Sequence, residues 1–181
     1  MIAWGIDIGL TGALARIDHR GAVVVLDMPV TADGAKGNRI SGRQLARLIR
    51  LHTPADEAVT IVMEDVRPRP NPLRGTSIVT EGSLMRSRGA IESVLDVLGV
   101  RGHVVQPQTW KRHFGLLKAE KDASRQKALV LYPAASHDLA RKKDHNRAEA
   151  VLLAHYAMTV VAGVPVRGEL VAQRELQEAA A

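Results

Sequence analysis

Acidic residues occur at three places where their type and spacing suit the binding of metal ions or phosphate. The first place is the segment Gly5-Ile-Asp7-Ile-Gly9-Leu-Thr-Gly12, in which Asp7 stands inside an apolar strand. A carboxylate in such a strand is costly unless its charge is paired or metal-bound. The glycines after it allow the backbone to approach a phosphate closely. The structural alternative is an aspartate that caps a tight hairpin turn.

The second place is Glu64, which follows the apolar run 59–63. Ligands of α/β proteins collect outside the carboxyl ends of strands, so this carboxylate is well placed. Its neighbour Asp65 is expected to point to the opposite face and to bond within the following loop. The third place is the segment Lys142-Lys-Asp144-His145-Asn146-Arg147-Ala-Glu149, which runs into the last helix. The helix dipole favours carboxylates there, but Asn146 and Glu149 also have the spacing of a capping box, with Asn146 as the N-cap.

The oxygen atoms of these three groups suit Mg²⁺ or Mn²⁺, because hard cations prefer oxygen ligands. Two such ions can activate a water and stabilise the departing 3′-oxygen of a phosphodiester in an in-line displacement. The chain has no cysteine, which excludes a disulfide framework, a thiolate metal site and thiol catalysis. The sequence therefore indicates a two-metal phosphodiesterase site, provided that the fold brings the carboxylates together.

The elements that must position these groups alternate between strands and helices. We expect strands at 2–8, 13–18, 22–28, 58–63 and 102–106, and helices at 41–52, 81–98, around Trp110, at 122–132 and at 146–161. Three hairpin strands followed by crossover units predict an α/β fold with a mixed five-stranded sheet and helices on both faces. The segment 67–74 is rich in Pro and Arg and is expected to be a functional loop. We expect one domain over 1–163 and a polar tail over 164–181.

Positive charge is concentrated in the middle of the chain. The formal net charge is +6, and residues 67–147 contain 16 Lys and Arg against 7 Asp and Glu. Such a field favours a polyanion, most commonly nucleic acid, although a solvated basic surface would have the same composition. No apolar run approaches the ~20 residues of a membrane span, and the N-terminus has no signal-peptide pattern. We therefore expect a cytoplasmic protein with no membrane partner.

Together, the motifs resemble those of the RuvC-type Holliday junction resolvases, in particular the bacteriophage and chloroplast branch of that family. The resemblance covers roughly residues 2–160. It is carried by Gly5-Ile-Asp7-x-Gly9, Met63-Glu64, Gly82-x-x-x-Arg86-x-x-Gly89-x-Ile91-Glu92, Pro107-Gln-Thr-Trp110-Lys111, Lys121-Asp-Ala-Ser124-Arg125 and Arg147-Ala-Glu149-Ala. It implies a ribonuclease H-like fold and a bacterial or bacteriophage homodimer without a nucleotide cofactor. It further implies an endodeoxyribonuclease that makes paired cuts in four-way DNA junctions with two Mg²⁺ ions per active site, for which Mn²⁺ substitutes.

The resemblance also implies roles for individual residues. Asp7, Glu64 and Glu149 match metal-binding carboxylates of the family. The loop 67–74 matches the segment that reaches the junction centre, and helix 81–98 matches the dimer helix, although Ile91, Val94, Leu95 and Leu98 could equally be ordinary core. Trp110 is expected to be a core residue rather than a platform for stacking bases. DNA contacts are implied for Arg67, Arg69, Arg74, Arg86, Lys111, His145 and Arg147.

Asp144 and His145 are the two candidates for a fourth metal ligand, because Asn146 stands where the bacterial pattern has an aspartate. On one continuous helix His145 and Glu149 share a face, whereas Asp144 points about 140° away from Glu149. If Asn146 is the N-cap, both candidates precede the helix and the angle does not apply. The resemblance places the ligand five residues before Glu149, and a carboxylate suits Mg²⁺ better than imidazole does. We therefore expect Asp144 to be the ligand and His145 to be a phosphate contact or proton shuttle.

Three other functions are compatible with parts of the pattern. The D-x-G-x-T sequence that begins at Asp7 is also typical of actin-like and sugar-kinase ATPases, but those folds need a second domain that 181 residues do not provide. A junction-binding protein without catalysis would have no stabilising reason to keep Asp7, Glu64 and Glu149 in a basic cleft. A related nuclease that acts on other branched DNA or on RNA–DNA hybrids fits the same residues.

Overall fold

The fold is built on a five-stranded sheet. The computed structural model describes residues 1–34, 37–66 and 78–166, with the side chains of Ile78 and Lys121 excepted. The strands are β1 (Ile2–Asp7), β2 (Ala13–Asp18), β3 (Val23–Asp27), β6 (Val59–Glu64) and β7 (Gly102–Val105). A separate antiparallel pair, β4 (Val30–Ala32) and β5 (Asn38–Ile40), follows β3.

The sheet is mixed, as the element order predicted. Its strand order is β3-β2-β1-β6-β7. The three hairpin strands β1, β2 and β3 pair antiparallel, whereas β6 pairs parallel with both β1 and β7. Parallel strands need crossover connections, and helices supply both of them here. As a result, the carboxyl ends of β1, β6 and β7 lie at one edge of the sheet.

Helices cover both faces of the sheet, which confirms the predicted α/β class. Helix α1 (Gly42–Leu51) and helix α2 (Ile78–Val97) pack on one face, where Leu45, Ile49, Ile91 and Leu95 join the core. Helices α3 (Pro107–His113), α4 (Lys121–Leu131) and α5 (His145–Tyr156) pack on the other face. Ser41 is the N-cap of α1, close to the predicted start of this helix, and its hydroxyl accepts a hydrogen bond from the Gln44 N–H.

Helix α5 lies directly against the central strand β1. A Cβ atom at Gly5 would stand 2.1 Å from the Ala150 carbonyl oxygen and 2.2 Å from the Ala154 nitrogen. Only glycine permits this approach of helix backbone to strand backbone. The middle of the helix is apolar on every side, and its residues 150–154 are fully buried. This close contact fixes the position of the start of α5 relative to the carboxyl end of β1.

Three local expectations differ from the structure. The small β4–β5 pair was not predicted, because three-residue strands carry too little alternation to be recognised. Asn146 is not the N-cap of the last helix: α5 begins at His145 and Asn146 is its second residue. Val164 and Val166, in the predicted tail, pack against the core on the α5 face. Residues 167–181 lie outside the described residues.

No helix in the described ranges is long and apolar enough to cross a bilayer.

Candidate active site

Alternation along two neighbouring strands places Asp7 and Glu64 side by side. Strands β1 and β6 are parallel, and Ile6 is the register partner of Met63, so Asp7 and Glu64 occupy the next position at the carboxyl edge. Successive strand residues point to opposite faces. Ala3 and Val62 belong to the core on the α5 face. Asp7 and Glu64 follow them by an even number of residues and therefore point to the same face. Both carboxylates therefore stand at the sheet edge beneath α5.

Asp65 points to the other face, as predicted, and meets helix α2. Its carboxylate accepts a hydrogen bond from Arg88 Nη1 at 2.9 Å, and the same guanidinium also donates to the Val66 carbonyl oxygen at 3.0 Å. The prediction that Asp65 would bond within its own loop is therefore incomplete. This ion pair ties the end of β6 to α2, and it leaves Glu64 as the acid of this dipeptide on the α5 face.

The turn after Asp7 is shaped by glycine and is tied to α5. A Cβ atom at Gly12 would stand 2.1 Å from the Asp7 carbonyl oxygen, so the tight return of the chain into β2 requires glycine. Asn146 donates from Nδ2 to the Thr11 carbonyl oxygen at 2.7 Å. This bond replaces the capping role that the sequence suggested for Asn146, and it couples the turn to the first turn of α5.

Helix α5 adds Glu149 to the two strand carboxylates. Burial, together with the negative charges of Glu149 and Glu64, raises the pKa of Asp7 to about 8, and the nearby Lys111 ammonium lowers it only in part. Burial also raises the pKa of Glu64, while Lys111 opposes the shift. Three carboxylates with one ammonium among them form a site with unbalanced negative charge, which is an environment that favours a bound cation.

Two side chains of α3 and one of α4 contact these carboxylates. Lys111 Nζ lies 3.1 Å from Glu149 Oε1, and the Ser124 hydroxyl is 3.4 Å from the same oxygen. Trp110 donates from Nε1 to Glu64 Oε2 at 3.2 Å. Trp110 is fully buried, which confirms that it is a core residue, but its contact with Glu64 was missed. The signal available in the sequence was the position of Trp110 and Ser124 inside the motifs that carry the resemblance.

Asp144 is not brought together with the other three carboxylates. It is 4% exposed, and Arg141 holds it through guanidinium bonds of 2.7 and 3.1 Å to Oδ1 and through a backbone N–H bond of 2.8 Å to Oδ2. The Arg141 hydrogen bonds keep its pKa below the ordinary value. In this position Asp144 acts as a cap on the 3₁₀ turn Lys142–Asp144, which leads into α5.

His145 begins α5 and is half-buried. Because both residues belong to one helix, the spacing of four residues places His145 and Glu149 on the same face. As the side chains stand, no group of three acidic, imidazole or thiol side chains in the described part of the chain is close enough to hold one metal ion. The donor types at the sheet edge fit a hard cation, whereas ion binding requires side-chain rearrangement around Glu149 and Lys111.

The predicted DNA-binding arginines within the described ranges are engaged with acids. Arg147 donates to both oxygens of Asp27 at 2.7 and 2.6 Å and to the Asp138 carbonyl oxygen at 3.1 Å. Arg86 lies 2.8 Å from Asp33, but its side chain remains 54% exposed. Arg67, Arg69 and Arg74 lie outside the described residues.

An open groove of about 260 Å³ adjoins the acid cluster. It is lined by residues 64–66 at the end of β6, by Leu84 of α2 and by residues 106–108 at the start of α3. Glu64 is therefore accessible from outside the protein at the edge of the sheet. An extended polymer backbone can reach such an open groove.

Comparison with known proteins supports the predicted fold. No protein-family model matches the sequence. The structure of T. thermophilus RuvC in complex with a Holliday junction substrate matches with a TM-score of 0.51 and 15% identity, over 85% of this chain and 90% of that one. A second Thermus thermophilus RuvC structure has a TM-score of 0.48 and 15% identity, over 91% and 98% of the two chains. The first match shows that this chain has the ribonuclease H-like fold of RuvC, as the motifs implied.

At the level of sequence, the chain is similar to a curated plastid protein. It is 30% identical over 156 residues to the chloroplastic Holliday junction resolvase MOC1 of Chlamydomonas reinhardtii. The aligned part is 77% of this chain and 18% of that protein, so the chain spans about a fifth of the relative's length. The fold and the site thus define an α/β domain of the ribonuclease H-like class with a carboxylate cluster at its strand ends.

Proposed function

We propose that this chain is a structure-selective endodeoxyribonuclease that resolves four-way (Holliday) DNA junctions. The observation that carries the proposal is the group of Asp7, Glu64 and Glu149 at the carboxyl edge of a ribonuclease H-like sheet, with the pKa of Asp7 at about 8. An uncompensated acid cluster destabilises a fold, so its presence calls for a cation. The names of the similar proteins, MOC1 and RuvC, supply the substrate class.

The proposed cofactor is a pair of Mg²⁺ ions, with Mn²⁺ as a substitute. Asp7, Glu64 and Glu149 would hold them, because carboxylate oxygens are the donors that these cations prefer. When bound, such a pair activates a water and stabilises the departing 3′-oxygen. The fixed turn at Gly12 and the close contact of α5 with β1 orient the carboxylates. Lys111, beside Glu149, is placed to hold the scissile phosphate.

The fourth ligand is proposed from the resemblance to be Asp144. For this role its carboxylate has to leave the Arg141 guanidinium, which now binds it. His145 is the competing candidate, and its place one turn before Glu149 on α5 supports it. The two assignments differ in one respect that can be tested: only the first requires that the Arg141–Asp144 pair opens.

DNA contacts are proposed for Lys111, Arg86, His145 and Arg147, and for the arginines of the loop 67–74. Arg86 keeps more than half of its side chain exposed while it pairs with Asp33. Arg147 would have to exchange Asp27 for a phosphate, and we expect a smaller contribution from it. The proposed compartment is the cytoplasm of a bacterium or of a bacteriophage-infected cell, unlike that of MOC1, which its name places in the chloroplast.

We also propose a homodimer with α2 at the interface. Ile91 and Leu95 are buried in the protomer's own core, so they are not available to a partner. The outward side of α2 instead presents Val79 and Val97, which are 81% and 78% exposed. Between them Gly82 and Gly89 have open space beyond the backbone. Glycine in an exposed helix costs about 0.5–1 kcal/mol relative to alanine, a cost that close approach of a second helix would offset. An isologous pair matches the two-fold symmetry of a four-way junction.

A cleavage assay on three labelled substrates tests the proposal. A four-way junction, a linear duplex and an RNA–DNA hybrid are each incubated with the protein in Mg²⁺ and in EDTA. We expect paired cuts in the junction alone, in Mg²⁺ alone, and none with Asp7→Asn. Asp18→Asn is the matched control, because Asp18 is the register partner of Ile2 at the opposite edge of the sheet. Preferred cutting of the hybrid would favour the related ribonuclease H-like function, and binding without cutting would favour a non-catalytic role.

A further inference from the structure

Trp110 contacts the acid cluster from inside the core. Its side chain is fully buried, and its indole N–H donates to Glu64 Oε2 at 3.2 Å. Phe114, directly after the end of α3, packs edge-on against the ring at a centroid distance of 6.4 Å. The ring is thus held by core packing, and it carries a polar atom to a carboxylate at the edge of the sheet. A buried tryptophan needs such a partner for its N–H.

The same ring lies beneath the one ammonium of the cluster. Lys111 Nζ is 5.0 Å from the centre of the Trp110 ring and 3.1 Å from Glu149 Oε1. A cation over the face of an indole is attracted by the ring quadrupole. The edge of the Trp110 ring therefore contacts Glu64. Its face contacts Lys111, which in turn pairs with Glu149.

We infer that Trp110 is a positioning residue of the proposed metal site: it fixes one oxygen of Glu64 and leaves the other free for a divalent cation. This inference rests on the proposed function. A glutamate side chain has three rotatable bonds, and ordering them on ion binding costs conformational entropy. A hydrogen bond from a rigid, buried ring orders the carboxylate in advance, as outer-shell partners of metal ligands do. The ring face likewise keeps Lys111 beside Glu149.

The chain contains its own control for this inference. It has two tryptophans, and Trp4 is as fully buried as Trp110. Trp4 donates from Nε1 to the Thr53 hydroxyl at 2.9 Å, and its ring lies on the opposite face of the sheet. Trp110→Phe and Trp4→Phe therefore remove the same atoms and one hydrogen bond each, but only the first removes a contact with the acid cluster.

The test is the affinity of the 181-residue chain for Mn²⁺, measured by calorimetry without DNA, together with the Mg²⁺ dependence of junction cleavage. For Trp110→Phe we expect both affinities to fall by roughly 10- to 100-fold, the range found for outer-shell partners. For Trp4→Phe we expect the wild-type values. Equal metal affinities in both variants would overturn the positioning role and leave the nuclease proposal intact. A wild-type protein that binds no Mn²⁺ would overturn both.

A second measurement does not depend on the folding of Trp110→Phe. In Trp4→Phe, Trp110 is the sole tryptophan, and its emission reports on Glu64. We expect Mn²⁺ alone to quench this emission, and the additional change Glu64→Gln to abolish the quenching. Undiminished emission at a Mn²⁺ concentration that saturates the calorimetric site would refute the contact between Trp110 and an ion-binding Glu64. Quenching in a protein that cuts no junction would preserve the positioning role and reject the proposed substrate.

Discussion

Asp7→Asn should stabilise the metal-free protein while it abolishes cleavage. Burial and the charges of Glu149 and Glu64 raise the pKa of Asp7 from 3.8 to about 8. The folded protein therefore keeps a proton that the unfolded chain loses between these two values. The stability that the Asp7 proton contributes is therefore fully present below pH 3.8 and is lost as the pH rises towards 8. Asparagine is neutral at every pH, so the variant lacks this decline.

The magnitude follows from the size of the shift. At pH 7 the unfolded chain is about three pH units above the pKa of its Asp7, whereas Asp7 in the folded protein is still mostly protonated. The ionisation of Asp7 therefore lowers the free energy of unfolding by about 4 kcal/mol. Rearrangement of the site makes this an upper figure. For a domain of this size 1 kcal/mol changes Tm by about 2–4 °C, so about 4 kcal/mol sets an upper limit of about 8–16 °C on the rise in Tm of the variant at neutral pH. In Mg²⁺ the wild type should have the higher Tm, because an ion that binds the folded wild type stabilises it and the variant has lost a ligand.

The assay is thermal unfolding between pH 5 and pH 8, in EDTA and in Mg²⁺. Asp27→Asn is the control, because hydrogen bonds from Arg147 lower the pKa of Asp27, which is therefore already ionised across this range. That variant should show no gain in stability. If Tm changes with pH in the same way for Asp7→Asn and for the wild type in EDTA, the pKa of Asp7 is not raised by burial and by neighbouring acids. The argument for a cation at the sheet edge would then fail.

Three further predictions concern the ligand set, DNA binding and assembly. If Asp144 is the fourth ligand, Asp144→Asn should lose cleavage in Mg²⁺ while His145→Ala keeps it; normal cleavage by Asp144→Asn with a dead His145→Ala in both Mg²⁺ and Mn²⁺ would assign the imidazole instead. Junction binding by Asp7→Asn should match or exceed that of the wild type in a mobility-shift titration. It should also weaken steeply with salt, because several phosphate contacts release counterions. An affinity that does not change with salt would exclude the basic surface as the DNA-binding surface. Val97→Asp, at a valine that is 78% exposed, should convert a dimer to a monomer in light scattering with little change in Tm, whereas a wild type that is monomeric while fully active would remove the dimer from the proposal.

Local pattern was sufficient to predict the main elements and the acids that stand at the strand ends. Alternation and helical spacing depend on neighbouring residues alone, so the five strands of the sheet and the major helices were found within a few residues of their observed ends. The two strand-end acids could also be predicted, because a carboxylate after an apolar run is visible in the sequence. The α/β class with a mixed sheet followed from element order.

Tertiary structure decided which side chains meet. The capping-box spacing predicted Asn146 as the N-cap of the last helix, but the helix begins one residue earlier, at His145. The Asn146 side chain bonds instead to Thr11, 135 positions away in the sequence. Arg147 meets Asp27 across a separation of 120 positions, which no local pattern records.

Trp110 shows the same division between local pattern and long-range packing. Trp110 was predicted to be a core residue rather than a platform for stacking bases, and it is fully buried. Its bond to Glu64, 46 positions earlier, exists because α3 packs across the end of β6. The sequence determines what each side chain can donate or accept, since that is a property of the residue. Which donor meets which acceptor is set by the packing of helices on the sheet, because contacts between distant residues form only when the whole core is assembled.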